Sequence, residues 1–184
     1  MTSAERPRPV FPTMKPVAKP PADPESLFGE LARQRDGVGA LWSHQADQLR
    51  TYSASHTSTV DVALELPTGS GKTMVGLLIG EWRRRALTDR VVYACPTKQL
   101  ARQVTAAAER QGVAAKLFIG KSSKWSAADV ADYVSADSIA VTTYGAIFNT
   151  NSRFADADTL IFDGRTRARS TQRRTCELVR SEGG

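Results

Sequence analysis

The sequence predicts an α/β domain built on a mainly parallel sheet with helices on both faces. Two observations carry this. Apolar, β-rich runs alternate with helical stretches across residues 60–162, the order that a parallel sheet with crossover helices requires. The first of those runs, residues 60–66, passes through a small-residue loop directly into a helix that opens at Lys72. The chain has 184 residues, 41% of them apolar, which is one domain's length with material for a real core.

The elements follow in order. Residues 1–24 hold seven of the nine prolines and read as a disordered or polyproline leader. Pro24 opens a short helix over 25–35, with Leu27, Phe28 and Leu31 on one side, and Asp36-Gly37-Val38-Gly39 ends it. Ser43 is read as the N-cap of the next helix, whose inward face carries Ala46 and Leu49. Residues 72–86 form a helix rich in Met74, Val75, Leu77, Leu78, Ile79 and Trp82, in which Gly76 and Gly80 allow close approach to the sheet. Arg83, Arg84 and Arg85 complement the dipole at its end. Then come a buried strand at 90–95, a helix at 98–111, and a strand at 116–119 closed by Gly120. A helix at 126–134, opened by a Ser126-x-x-Asp129 capping box, precedes strands at 138–142 and 159–162.

Composition excludes several classes. No apolar run approaches the ~20 residues of a membrane span. No signal-peptide core is present, so the expected location is cytoplasmic, with Cys95 and Cys176 as reduced thiols. Cys95, ending a core strand, reads as a small buried hydrophobe. With His44 and His56 the only histidines, ligands for a structural zinc are too few. The net charge is +6, but residues 164–184 contain six Arg and two Glu, so +4 of it sits there. Overall basicity is therefore no evidence for a nucleic-acid groove on the folded part.

The chemistry is concentrated in Pro67-Thr68-Gly69-Ser70-Gly71-Lys72-Thr73. A loop between a strand and a helix N-terminus presents backbone N–H groups and a positive dipole end to an anion. Gly69 and Gly71 permit positive φ and keep Cβ atoms out of the ligand's way. Lys72 is placed to reach β- and γ-phosphates, and the Thr73 hydroxyl to complete a Mg²⁺ shell. The general phosphate-loop pattern begins with Gly, where this chain has Leu66.

This heptapeptide resembles motif I of superfamily 2 helicases and translocases, the DEAD/DEAH-box relatives. The resemblance spans about residues 40–163 and implies a RecA-like lobe that binds ATP and Mg²⁺ through Thr68, Gly69, Ser70, Gly71, Lys72 and Thr73. Gln45, 27 residues before Lys72, is similar to the glutamine that reads the adenine edge in the family. His44 beside it reads as a packing or capping residue. Pro96-Thr97-Lys98-Gln99-Leu100-Ala101-Arg102-Gln103 resembles motif Ia, which implies contacts from Thr97, Lys98 and Arg102 to a nucleic-acid backbone. Val141-Thr142-Thr143-Tyr144-Gly145 resembles a later strand-contacting motif and adds Thr143. Leu160-Ile161-Phe162-Asp163 resembles motif II, with Asp163 holding Mg²⁺ through water.

The likeness breaks at the next residue. The family places a second acid there to orient and deprotonate the attacking water, and this chain has Gly164-Arg165-Thr166. Negligible hydrolysis is therefore expected of the chain alone. In 164–184 only Leu178 and Val179 are large and apolar, so a basic, disordered tail with no further strand is expected. A reading frame altered near codon 164 would account for the break. The sequence thus divides into a leader (1–24), a partial ATP-binding lobe (25–163) and a tail (164–184). The expected partners are nucleic acid, DNA rather than RNA, and a second helicase lobe or another subunit. The alternatives are a non-catalytic nucleotide-binding module, a short protein with a nucleic-acid-binding tail, and a non-functional remnant.

Overall fold

A computed structural model describes residues 20–67 and 69–164, and the backbone of 174–180. The readings for residues 1–19, for Thr68 and for 165–173 and 181–184 lie outside the described residues.

Six strands form one sheet in the order β1-β6-β5-β2-β4-β3. They are β1 (Asp61–Leu66), β2 (Val91–Cys95), β3 (Ala115–Leu117), β4 (Ile139–Thr143), β5 (Thr159–Asp163) and β6 (Arg174–Arg180). β3, β4, β2 and β5 pair in parallel. β6 runs antiparallel to both β1 and β5, so β1 and β5 point the same way. The expectation that no strand follows Asp163 is thereby corrected. Over 174–180 the backbone enters the sheet, with Cys176 in register with both Leu64 and Asp163. The stretch has few large apolar residues, but a strand hydrogen-bonded on both sides depends on its ladders as well as on apolar side chains.

Alternation along each strand separates two cores. Odd-numbered Tyr93, Cys95, Ile139, Val141 and Ile161 join the larger one, with α1 (Pro24–Glu30), α2 (Ser43–Ser55), α3 (Lys72–Leu87) and α4 (Lys98–Arg110). Even-numbered Val92, Ala140 and Leu160 join the smaller one, with α5 (Ala127–Val134) and α6 (Tyr144–Ile147). Helices thus cover both faces, as expected. Cys95 is a free, buried thiol. At Gly80 an added Cβ would lie 3.0 Å from Ile161 and 3.2 Å from Ile139 and Val91, so the glycine sets how closely α3 meets the sheet.

Three local readings change. The N-cap of α2 is Trp42 rather than Ser43, and the Trp42 N–H donates to Gln45 Oε1 at 3.0 Å. A longer side chain three residues on reaches back to a donor that the serine, one residue later, does not satisfy. The arginines ending α3 are also more than a cationic fringe. Glu81, 0% exposed, accepts two bonds from Arg84 (2.8 and 2.9 Å) and one from Arg85 (2.7 Å). Arg83 is buried and donates to Asp89 and Thr159 at 2.7 Å and to Tyr52 at 2.8 Å. Burial opposes its charge, but Tyr52 and Asp89 outweigh that, and its pKa lies above the ordinary arginine value. Nor is the chain before α1 free: the Pro21 carbonyl accepts from Trp82 Nε1 at 3.1 Å.

Removing one member of a buried ion pair strands the other. Glu81→Ala or Arg83→Ala should therefore cost about 3 kcal/mol in urea denaturation. Arg50→Ala, whose side chain is 61% exposed in its pairs with Glu25 and Asp47, should leave the urea midpoint close to that of the original chain.

Candidate nucleotide and nucleic-acid site

Because β1, β5, β2 and β4 point the same way, their carboxyl ends share one edge of the sheet. The loop after β1, Asp163, Thr97 and Thr143 all stand on that edge, where open α/β sheets bind ligands. Strand order divides it. The phosphate loop and Asp163 lie at the β1 and β5 end, and Thr97 and Thr143 at the β2 and β4 end.

The phosphate loop has the backbone its sequence requires. Gly69 and Gly71 have φ of 81° and 74°, and Gly71 caps α3 in the left-handed region. Around Gly69 an added Cβ would meet nothing within 4 Å, so the loop's outer side is open. Lys72 is buried at 7% exposure, Thr73 is half-buried, and Asp163 is buried at 6% exposure. A positive helix end, an open loop, a lysine and an aspartate fit a triphosphate with its Mg²⁺. Lys72 and the loop amides would hold the phosphates, and Thr73 and Asp163 the cation. The ion would supply charge neutralisation at the β- and γ-oxygens.

Gln45 and His44 brace this loop from α2. Gln45 Nε2 donates to the Ser70 carbonyl at 2.9 Å, and His44 Nε2 lies 3.0 Å from the same oxygen. A carbonyl only accepts, so His44 carries its proton on Nε2 in this contact. Ser70 Oγ donates to the Pro67 carbonyl at 2.6 Å and closes the turn. Gln45 is 5% exposed and fills the space beside Gly71 so closely that a Cβ there would overlap its Nε2. Gly71 is thus required twice, by its φ and by its neighbour. The Gln45 amide holds Trp42 N–H and Ser70 C=O, and its second N–H and second lone pair are what a base edge could use.

At the other end of the edge is a cavity of about 550 Å³. Lys98 and Thr143, both expected strand contacts, line it. Arg102 is exposed one turn further along α4, outside that lining. Thr97 caps α4, accepting from Leu100 N at 3.1 Å, and its O–H remains a donor. The lining also brings in Lys121, Arg153, Asn149, Asn151 and Trp125, and no acidic residue. Sequence reading missed these. Lys121, just past a glycine at a strand's carboxyl end, carried a usable signal, whereas Arg153 and the asparagines in their polar loop carried none.

One edge of a parallel sheet thus carries a phosphate-binding loop and a cationic cavity, which defines a nucleotide-binding α/β lobe of the RecA-like class. A family model for the DEAD/DEAH box helicase matches residues 45–182, and the chain belongs to that family. Neither a curated protein nor a solved structure matches it. The family match continues past Asp163 through β6, beyond the span of about 40–163 read from motifs. The chain is a helicase-type ATP-binding module acting on nucleic acid. Among the described residues no helix is long and apolar enough to cross a membrane.

Gln45→Ala leaves the Trp42 N–H without its acceptor and the Ser70 carbonyl with His44 as its one side-chain donor, and should cost about 1–3 kcal/mol in urea denaturation. Gly71→Ala should cost a comparable ~1–3 kcal/mol through its φ and its overlap with Gln45. The double variant should lose less than the sum of the two, because Gln45→Ala clears the space the new methyl needs.

Proposed function

We propose that this chain binds Mg-ATP at the phosphate loop and a single DNA strand across the β2–β4 end, with negligible hydrolysis when alone. What carries this reading is one sheet edge that holds a braced phosphate loop and a separate cavity with three cations and no acid. Gly69, Ser70, Gly71 and Lys72, with Thr68, take the phosphates, Gln45 meets the adenine edge, and Thr73 and Asp163 hold Mg²⁺. Lys98, Thr97, Thr143 and Arg102, joined by Lys121 and Arg153, take the strand's phosphates. Lysine and arginine neutralise backbone charge without reading sequence, so a general translocase substrate suits them.

The hydrolysis step is where this lobe falls short. A water attacking the γ-phosphate needs a group to orient it and take its proton. The residue after Asp163 is Gly164, which offers no such group. The missing base, and an arginine to meet the charge developing on the γ-phosphate, would have to come from a second helicase lobe or another subunit. DNA is favoured over RNA because Trp42-Ser43-His44-Gln45 and Thr142-Thr143-Tyr144 look more like restriction and repair translocases than RNA-type members. The continuation of the family match to residue 182 and the pairing of 174–180 into the sheet favour a folded module over a remnant.

A steady-state ATPase assay with and without single-stranded DNA tests the hydrolysis claim, and robust stimulated turnover would refute it. For the strand site, Lys98→Ala, Lys121→Ala and Arg153→Ala should each weaken a labelled oligonucleotide and flatten its log K against log salt slope by about 0.7. Unchanged slopes in all three would place the strand elsewhere.

A further inference from the structure

Helix α6 belongs to both ends of the site edge. Its N-cap Thr143, with Gly145 and Ala146, lines the cationic cavity. Tyr144, between them in sequence, turns the other way. Its hydroxyl donates to the main-chain carbonyl of Asp163 at 2.7 Å. β4 and β5 are not neighbours, since β2 lies between them, so this side chain reaches across the end of β2 to make that bond. Two ring contacts support it. The Tyr144 ring meets Phe162 at 5.6 Å, and Phe148, at the helix's far end, stacks on the same Phe162 at 6.0 Å and 12°. Phe148 is 73% exposed, so little besides that stack holds it.

The backbone of the aspartate assigned to Mg²⁺ is therefore gripped by a helix whose other side is the wall of the nucleic-acid cavity. A helix of four residues has little internal rigidity, and its position follows its contacts. Thr143 and Gly145 stand where a strand phosphate would settle, and the Tyr144 bond joins the same helix to the Asp163 main chain. We propose that Tyr144 is a positioning residue that couples strand occupancy to nucleotide affinity. It touches neither ligand and acts through the Asp163 main chain. The inference rests on the nucleotide and strand sites proposed above and adds the link between them.

Coupling is reciprocal, so the factor by which Mg-ATP changes strand affinity measures it. The test uses the full chain and its Tyr144→Phe variant, which keeps the ring that meets Phe162 and removes the hydroxyl that donates to Asp163. A fluorescent oligothymidylate is titrated by anisotropy with and without saturating Mg-ATP, and Mg-ATP is titrated alone. In the original chain Mg-ATP should tighten the oligonucleotide by about fivefold or more. In Tyr144→Phe that factor should fall below about twofold, with each ligand's separate affinity within about threefold of the original. A merely structural role would lower both affinities and the melting temperature and leave the ratio in place. An undiminished ratio in Tyr144→Phe, or no coupling in an original chain that binds both ligands, would overturn the proposal. An original chain that takes up no Mg-ATP would instead overturn the nucleotide reading.

Discussion

The Ser70 carbonyl is the point on which the site depends. Two side chains from α2 converge on this one oxygen, and they fix the loop that leads into α3. A loop of small residues has many accessible conformations, and ordering it only when a ligand arrives would weaken binding by the entropy of that ordering. Bracing it beforehand moves that entropic cost from binding to folding. The same contact explains why Gln45 is buried although it belongs to an otherwise amphipathic helix, and why Gly71 tolerates no side chain. It also ties the first helices of the lobe to its function. α1 and α2 pack on α3, so a shift of α2 is felt at the phosphate loop.

The sheet then distributes the chemistry. Parallel strands bring every loop that follows a strand to one edge, and strand order sets which loops are neighbours. Here the phosphate loop and Asp163 are separated by β6, two strand spacings or roughly 10 Å apart at the backbone. Among the described residues β6 is the only strand that pairs with β1. The stretch from 174 to 180 is accordingly part of what holds the two halves of the nucleotide site at their distance. The opposite edge of the sheet carries the buried Arg83 and Glu81 pairs, which serve stability at a remove from the ligands.

Much of this was legible in the sequence, for identifiable reasons. The strand–loop–helix at 61–72 was legible because glycine spacing and a helix-starting lysine have a geometric meaning. The alternation of strands and helices was legible because burial on both faces gives continuous apolar runs. β6 was not, since Arg174, Thr175 and Glu177 give no apolar run and the pairing partners are distant in sequence. The Arg83–Asp89–Thr159 network was invisible for the same reason: its members are up to 76 residues apart. Lys98 and Thr143 were found as members of motifs, whereas Arg153 reaches the cavity from a loop without periodicity. Local chemistry was readable; convergence of remote segments was not.

The central claim is that the braced loop grips the anionic end of a nucleotide. Isothermal calorimetry of the full chain with Mg-ADP, and with magnesium tripolyphosphate to isolate the phosphate contribution, tests it most directly. The account predicts saturable one-to-one heats for both titrants, and none from a Lys72→Ala chain of unchanged fold. Absence of heat from well-folded original material, or equal heat from Lys72→Ala, would contradict it.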